Sequence, residues 1–219
     1  VVANSPSLAE LAQVADPVSV TVIPNGVDTQ YYRPSGNNIG VKGAPLRLLL
    51  VGRFHRQKLI PETIQWLAQA KSQGIEFLVT IVGDGPERDA VKTTILEENM
   101  AEIISLKGWL GKDELLRQYQ QADCYLSLSS YEGMPNTVLE VMACALPVIA
   151  SDIPPHRLLV EHQVTGYLVG LDRPECLADQ LVELVSDRRR GRTMGEVGRR
   201  LVRDRYSWKV VAKSYMALS

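Results

Sequence analysis

The residues best suited to chemistry in this sequence are two carboxylates, Glu132 and Glu140, at the two ends of the run EGMPNTVLE. An apolar segment over 123–128 precedes them and predicts a buried strand, and Pro135 suits the first position of a helix that continues to residue 144. A strand that turns directly into a helix leaves free backbone N–H groups and the positive end of a dipole facing a crevice. Phosphate or polyhydroxyl groups can be held at such a place.

Glu140 is the more informative of the two carboxylates. It follows Asn136 by four positions and Thr137 by three, so the three residues share one face of the predicted helix. Its immediate neighbours in sequence are apolar, and a carboxylate among apolar residues is costly to bury unless it is hydrogen-bonded. The vicinal hydroxyls of a ribose are suitable donors. A solvated or salt-bridged helix glutamate is the plainer interpretation.

A cluster of cations follows an apolar, strand-like segment over 46–51. Arg53, Arg56 and Lys58 lie in the run GRFHRQK, which contains no acidic residue. A diphosphate suits this cluster, because arginine supplies a planar fork and lysine a compact charge. The alternative is an exposed basic loop. A P-loop is excluded, since its glycine and lysine spacing does not occur in the sequence.

The turn Gly83-Asp84-Gly85-Pro86 follows a third predicted strand, over 77–82. It begins like a dinucleotide-binding fingerprint, but Arg88 stands where the third small residue would be needed. Pro86 is predicted to start the next helix. The alternative is a strand-to-helix turn that needs glycine only for its backbone angles.

Together these residues resemble the C-terminal, donor-nucleotide-binding domain of glycosyltransferase family 4, whose members are retaining enzymes of the GT-B fold. The resemblance covers nearly the whole chain, and residues 22–28 look like the family's link between its two domains. The motifs that carry it are Gly52-Arg53 with Lys58, the turn at 83–86, Gly108-Trp109, the run 132–140, the apolar run 143–152 and Gly166 to Val169.

The resemblance implies a role for each motif residue. Arg53 and Lys58 would hold the donor diphosphate, Glu140 would bind the ribose, and Glu132 would contact the donor sugar. Arg53, Lys58 and Glu132 are therefore the implied catalytic residues. The base would lie near 108–110, with Trp109 either stacking on it or packing in the core. The further donor-binding residues are Gly83, Gly85, Trp109, Leu110, Gly133, Met134, Pro135, Asn136 and Thr137.

Two residues depart from the family pattern. Leu59 stands where a small residue usually follows the lysine, and Ala145 replaces a usual glycine. Neither position carries a charge that would contact the donor. The departures are therefore expected to change the shape of the loops more than the chemistry of the site.

The implied reaction is transfer of a hexose-type sugar from a nucleoside diphosphate sugar, UDP- or GDP-linked, to an acceptor. No Asp-x-Asp sequence occurs, so we expect a metal-independent site without a cofactor, in which protein cations stabilise the leaving diphosphate. The acceptor, a saccharide or lipid-linked saccharide of polysaccharide biosynthesis, would be bound mainly by an N-terminal domain absent from this chain. The isolated fragment would then be inactive. A non-catalytic nucleotide-sugar sensor or scaffold of the same fold is the alternative, and the missing third glycine disfavours a dehydrogenase.

The composition and charge of the chain limit the kinds of protein and partner that are expected. The 219 residues are 45% hydrophobic with a formal net charge of -1, which suits one buried core and excludes nucleic acid as a partner. Acidic residues interleave with the arginines over 188–205, so this stretch predicts a solvated helical face. The three cysteines show no pairing pattern and suit a reducing cytoplasm. With no signal peptide or spanning segment, we expect a cytoplasmic protein, with peripheral association at the inner face of the membrane left open.

Alternating strand and helix patterns predict an α/β fold with a Rossmann-like, three-layer parallel sheet, one half of a GT-B enzyme. Residues 1–34 are predicted to be the end of the N-terminal domain and the connector, 35–206 the nucleotide-sugar-binding domain, and 207–219 a C-terminal crossing helix. His156 is interpreted as a loop residue that borders the cleft, and a surface role is the alternative. The predicted strands are 46–51, 77–82, 103–107, 123–128, 147–150 and 167–169, and the predicted helices are 61–73, 87–99, 112–121, 136–144, 155–161, 174–186, 191–204 and 207–217.

Overall fold

The computed structural model describes residues 1–15, 18–35, 43–173 and 175–218. Its centre is a six-stranded sheet in which all neighbouring strands run parallel. Short apolar runs form these strands because both faces of the sheet are covered by helices. The strands are β3 (Leu46–Val51), β4 (Phe77–Val82), β5 (Ile104–Leu106), β6 (Cys124–Ser127), β7 (Val148–Ser151) and β8 (Gly166–Val169).

The order of strands across this sheet is β5-β4-β3-β6-β7-β8. Strands β4 and β5 therefore lie on one side of β3, and β6, β7 and β8 follow one another on its other side. The direction in which strands are added reverses between β3 and β6. In an open parallel sheet the crevice at this reversal, outside the carboxyl ends of the strands, is where ligands bind. The loops that follow β3 and β6 flank this crevice.

Helices form the two outer layers. They are α2 (Ile60–Ser72), α3 (Arg88–Glu97), α4 (Lys112–Gln121), α5 (Asn136–Ala143), α6 (Pro154–Arg157), α7 (Cys176–Ser186), α8 (Arg188–Arg205) and α9 (Trp208–Met216). Apolar side chains of α2, α3 and α7 pack on one face of the sheet, and those of α4, α5 and α8 pack on the other. The predicted three-layer, Rossmann-like architecture is confirmed.

The amino-terminal residues form a small unit of their own. Strands β1 (Val2–Ala3) and β2 (Thr21–Val22) pair in parallel, with α1 (Pro6–Ala15) between them in sequence. The connector, residues 23–35, then reaches the start of α9: the Val27 N–H donates to the Tyr206 carbonyl at 2.8 Å, and the Trp208 N–H donates to the Val27 carbonyl at 3.2 Å. The division at residues 34 and 206 stays a prediction, and 36–42 lie outside the described residues.

The predicted strands are confirmed, whereas some helix boundaries were wrong. Helix α3 begins at Arg88 instead of at Pro86, and Pro135 is the residue before α5 instead of its first. Helix α6 ends at Arg157, well short of residue 161. The predicted start of α7 at residue 174 lies outside the described residues.

The solvated face predicted for the arginines of α8 is wrong at two positions. Arg188 is partly buried and binds Asp123 at 3.3 Å. Arg199 donates to the Tyr32 carbonyl at 3.1 Å and to the Ala143 carbonyl at the end of α5. It therefore ties α5 and the connector together, which requires a fixed guanidinium instead of a solvated one.

Both departures from the family pattern fall where glycine is favoured. Leu59, which precedes α2, has a φ of 47°, and Ala145, which follows α5, has a φ of 60°. A residue with a Cβ is disfavoured by about 1–2 kcal/mol in this left-handed region. The expected effect on loop shape therefore takes the form of local backbone strain at two turns.

None of the described helices is both long and apolar enough to cross a membrane. Cys124, Cys144 and Cys176 are unpaired, and the first two are buried.

Candidate functional site

The loops after β3 and β6 meet through an ion pair at the reversal of the sheet. Lys58 lies in a short 3-10 turn (Arg56–Lys58), and its ammonium contacts the carboxylate of Glu132. Glu132 is 7% exposed and also accepts a hydrogen bond from the Ser129 hydroxyl at 2.8 Å. The chain thus brings together two of the predicted site residues that lie 74 positions apart.

The turn after β4 is fastened to the loop after β3. A Cβ on Gly83 would lie 1.9 Å from the Gly52 carbonyl oxygen, and one on Gly85 would lie 2.4 Å from the Phe54 carbonyl oxygen. Glycine is therefore required at both positions by close backbone approach. The Phe54 N–H donates to the Asp84 carbonyl at 2.9 Å. These contacts fix the backbone from which Arg53 extends.

A cleft of about 410 Å³ opens beside these loops. Arg53 is exposed at its edge. Trp109 is 81% exposed, so the core-packing alternative for this residue is wrong. Most lining residues are apolar or glycine and two, Arg53 and Asp84, are charged, which suits a flat, partly apolar group. The lining residues are Val51, Gly52, Arg53, Val82, Gly83, Asp84, Trp109, Leu110 and Leu115.

Glu140 faces a second cleft, of about 400 Å³, which also contains Asn136 and Lys112. The Tyr119 hydroxyl donates to Glu140 Oε2 at 2.7 Å. Burial and the facing carboxylate raise the pKa of Tyr119, so the phenol stays protonated and keeps donating. Glu140 is therefore hydrogen-bonded within the protein, as a half-buried carboxylate must be.

The start of α5 separates the two carboxylates. Met134 and Pro135 are buried and anchor the turn, while Asn136 is exposed and accepts a hydrogen bond from Asn25 of the connector at 2.7 Å. Gly133 lies beside Leu8 of α1, since a Cβ there would be 3.5 Å from Leu8 Cδ1. The first backbone N–H groups of a helix have no intrahelical partners, so this turn can accept an anion.

Tyr125 underlies the same turn. It is 1% exposed, and its hydroxyl donates to the Val51 carbonyl at 3.1 Å and interacts with Thr137. The end of β3 and the first turn of α5 are thereby joined by one buried phenol. No sequence motif marked Tyr125, Tyr119 or the connector as part of the site. Their contribution depends on contacts between residues distant in sequence.

The placement predicted for His156, on a loop bordering the cleft, is wrong. His156 belongs to α6 and is fully buried. Its Nε2 lies 3.2 Å from the Ser127 hydroxyl, and its Nδ1 lies 2.9 Å from the Ser151 carbonyl. Ser151 in turn accepts a hydrogen bond from the Ser129 N–H at 3.0 Å. The histidine therefore supports, from beneath, the loop that carries Glu132.

This burial gives a pH prediction. Desolvation lowers the pKa of His156 below its ordinary value, so between the two values the unfolded chain binds more protons than the folded one. We expect the free energy of unfolding to fall as the pH drops below about 6.5, by at most about 1.4 kcal/mol per pH unit. Urea unfolding of the wild type and of His156→Gln at pH 7.5, 6.5 and 5.5 measures it. The prediction is wrong if the free energy of unfolding changes with pH by the same amount in the wild type and in His156→Gln. His55→Gln, which replaces an exposed histidine, is the control.

Within the described ranges there is no group of three or more histidine, cysteine, aspartate or glutamate side chains arranged to hold a metal ion. Arg53 and Lys58 are cationic side chains of the loop after β3, at the reversal of the sheet.

Comparison with known proteins agrees with this geometry. The family model described as "Glycosyl transferases group 1" matches residues 37–201. The GDP-mannose:cellobiosyl-diphosphopolyprenol alpha-mannosyltransferase of Xanthomonas oryzae is 31% identical over 227 residues, which cover 99% of this chain and 57% of that protein. The UDP-Gal:alpha-D-GlcNAc-diphosphoundecaprenol alpha-1,3-galactosyltransferase of Escherichia coli is 28% identical, over 79% of this chain and 47% of that protein. The chain thus spans about half the length of the curated relatives it matches.

A solved structure shows the same fold. Sucrose-phosphate synthase from Thermosynechococcus elongatus superposes with a TM-score of 0.84 at 27% identity, covering 99% of this chain and 56% of that one. The sheet, the crevice and the sequence matches therefore agree on one classification. This chain belongs to the glycosyl transferases group 1 family.

Proposed function

We propose that this chain is the donor-nucleotide-binding domain of a retaining, metal-independent glycosyltransferase of family 4. The donor is a UDP- or GDP-linked hexose. The observation that carries the proposal is the Lys58–Glu132 ion pair at the reversal of the sheet, together with one cleft lined by Arg53 and a second lined by Glu140. Family membership supports the reaction class.

The geometry suggests how the donor lies. The base occupies the cleft beside Trp109 and Leu110, and the ribose hydroxyls donate to Glu140. The diphosphate lies against Arg53, Lys58 and the free N–H groups of α5, and the sugar lies against Glu132 and the backbone of 133–135. Arginine, lysine and a helix terminus are all groups that hold phosphate oxygens.

Sugar transfer breaks the bond between the anomeric carbon and the diphosphate, and a bond from the acceptor hydroxyl forms on the same face of the sugar. The proton of that hydroxyl passes to the departing phosphate oxygen. Negative charge grows on the diphosphate during this step. Arg53, Lys58 and the helix terminus stabilise it by fixed charges and dipoles, which need no reorganisation as the bond breaks.

Lys58 has a competing interaction within the site. Lys58 is paired with Glu132 in this structure, so diphosphate binding must turn at least part of the ammonium from the carboxylate to the phosphate. Lysine is suited to this exchange, because its ammonium carries three donors on a flexible stem.

We propose further that the acceptor is a saccharide or lipid-linked saccharide of polysaccharide biosynthesis, bound mainly by a part of the protein outside this chain. The mannosyltransferase and galactosyltransferase relatives are both named for a sugar linked to a polyprenol-type diphosphate. With such an acceptor the reaction takes place next to a membrane, and we propose its cytoplasmic face.

Metal-free binding of a nucleoside diphosphate tests the proposal. We expect UDP, GDP or ADP to bind in the presence of EDTA with an affinity that magnesium does not raise, because protein cations neutralise the diphosphate. At about 100 times its dissociation constant the ligand should stabilise the fold by roughly 2.7 kcal/mol. Isothermal calorimetry measures the affinity and thermal unfolding the stabilisation. Binding that requires magnesium, or no binding of any of the three, would contradict the proposal.

A further inference from the structure

Glu140 is held from beneath by a buried phenol. Tyr119 of α4 is fully buried, and its hydroxyl donates to Glu140 Oε2 at 2.7 Å. Tyr32 of the connector packs beside Tyr119, with ring centroids 6.1 Å apart, and also interacts with Glu140. Tyr32 also lines the cleft that contains Asn136 and Lys112, whereas Tyr119 lies behind Glu140 and is not part of that lining.

The hydrogen bond fixes one side of a flexible carboxylate. A glutamate side chain has several rotatable bonds, and its carboxylate offers about four acceptor positions. Tyr119 occupies one of them, Tyr32 also interacts with the carboxylate, and the remaining positions can accept from a ligand in the cleft. Without this bond the carboxylate could turn toward Lys112, a cation in the same cleft. The orientation of Glu140 therefore depends on a residue that lines neither of the two clefts described above.

We infer that Tyr119 is a positioning residue whose hydroxyl orients Glu140 to receive the two ribose hydroxyls of the donor. This inference rests on the proposed function and adds a determinant of specificity. Recognition of ribose depends on the phenol as well as on the carboxylate. Tyr119 acts through Glu140 and does not touch the ligand.

The test compares nucleotides with and without ribose hydroxyls. UDP, GDP and ADP are each titrated beside their 2′,3′-dideoxy counterparts into the wild type and Tyr119→Phe. We expect the wild type to prefer the ribonucleotide. Tyr119→Phe should bind that ribonucleotide about tenfold more weakly, because a hydrogen bond to a charged group is lost, and bind the dideoxy form unchanged.

The chain offers a matched control in Tyr167 of β8. This residue is equally buried, and its hydroxyl donates to Glu183 at 2.9 Å, on the other face of the sheet. Tyr167→Phe should lose a comparable hydrogen bond and leave the preference for ribonucleotide intact. A change of preference in Tyr119→Phe alone therefore separates positioning from general loss of stability.

A second experiment asks whether Tyr119 acts through Glu140. In a Glu140→Gln background, Tyr119→Phe should cause no further loss of ribonucleotide affinity, because the two changes remove the same interaction. The inference is overturned if Tyr119→Phe keeps the wild-type preference, or if it weakens ribonucleotide and dideoxynucleotide equally. If the wild type itself binds both forms equally or binds neither, the proposed ribose site fails, which is a different outcome.

Discussion

Replacing Lys58 with methionine is expected to weaken nucleoside diphosphate binding roughly 10- to 150-fold, the range for one lost charge-assisted hydrogen bond. Methionine keeps most of the apolar stem, so the change removes mainly the ammonium. Arg53→Met should cause a loss of the same order, and the two changes together should reduce binding below detection at millimolar ligand. Calorimetry in EDTA measures all three variants.

The two cations differ in what they do for the fold. Lys58→Met leaves the buried carboxylate of Glu132 without its cation, and removing one partner of a buried pair costs up to about 3–5 kcal/mol. Arg53 is exposed, so Arg53→Met should change the free energy of unfolding by no more than about 0.5 kcal/mol. Urea unfolding distinguishes the two.

Arg56→Met is the control for the overall charge of the loop. Arg56 is an exposed cation of the same segment, between Arg53 and Lys58 in sequence. If Arg56→Met weakens the nucleotide as much as Arg53→Met does, binding reflects the general positive potential of the loop. The assignment of Arg53 and Lys58 as diphosphate contacts would then be wrong.

Substitutions of the two glutamates are expected to weaken the binding of different ligands. Glu140→Gln is expected to weaken the free nucleoside diphosphate and the nucleotide sugar alike, each about tenfold, because the ribose is common to both. Glu132→Gln should weaken the nucleotide sugar by a similar factor and leave the diphosphate unchanged or bound more tightly, since Lys58 is released from its ion pair. Titrations of each variant with both ligands measure the separation.

Equal effects of the two substitutions on both ligands would contradict this assignment. Thermal unfolding of the free variants supplies the control for folding, because Glu132 is buried and its replacement also removes a charge partner of Lys58. A variant that is fully folded at the titration temperature yields an affinity that refers to the site alone.

The sheet could be predicted from sequence because local pattern and global fold agree. Apolar runs such as 46–51 and 77–82 are short, are bounded by turns and alternate with amphipathic helices, so each run has one consistent assignment. The turns at their carboxyl ends must then meet at one edge of the sheet. This convergence predicts that the loop carrying Arg53 and Lys58 lies beside the loop carrying Glu132, and the Lys58–Glu132 ion pair confirms it.

Contacts distant in sequence could not be predicted. The pairing of Lys58 with Glu132, the bond from Tyr119 to Glu140 and the approach of Asn25 to Asn136 all join residues whose spacing carries no periodic signal. His156 shows the same limit, because two adjacent prolines before it indicate a loop. The polar network that buries it comes from β6 and β7.

The solvated face predicted for the arginines of α8 was wrong at two positions for a related reason. Interleaved acidic residues indicate a solvated face, and most of the arginines are exposed as expected. Arg199 instead donates hydrogen bonds to carbonyl oxygens of α5 and the connector. Amino-acid composition does not reveal such acceptors. The sequence pattern shows which residues are polar, but it does not show which backbone carbonyl groups lack a hydrogen-bond donor.

The measurement that tests the central claim most directly is a crystal structure of this chain with UDP or GDP, grown without metal. The account predicts the diphosphate within hydrogen-bonding distance of Arg53, Lys58 and the first N–H groups of α5. It further predicts the ribose on Glu140 and the base in the cleft beside Trp109. A nucleotide bound elsewhere, or with its phosphates away from both cations and from α5, would contradict the account.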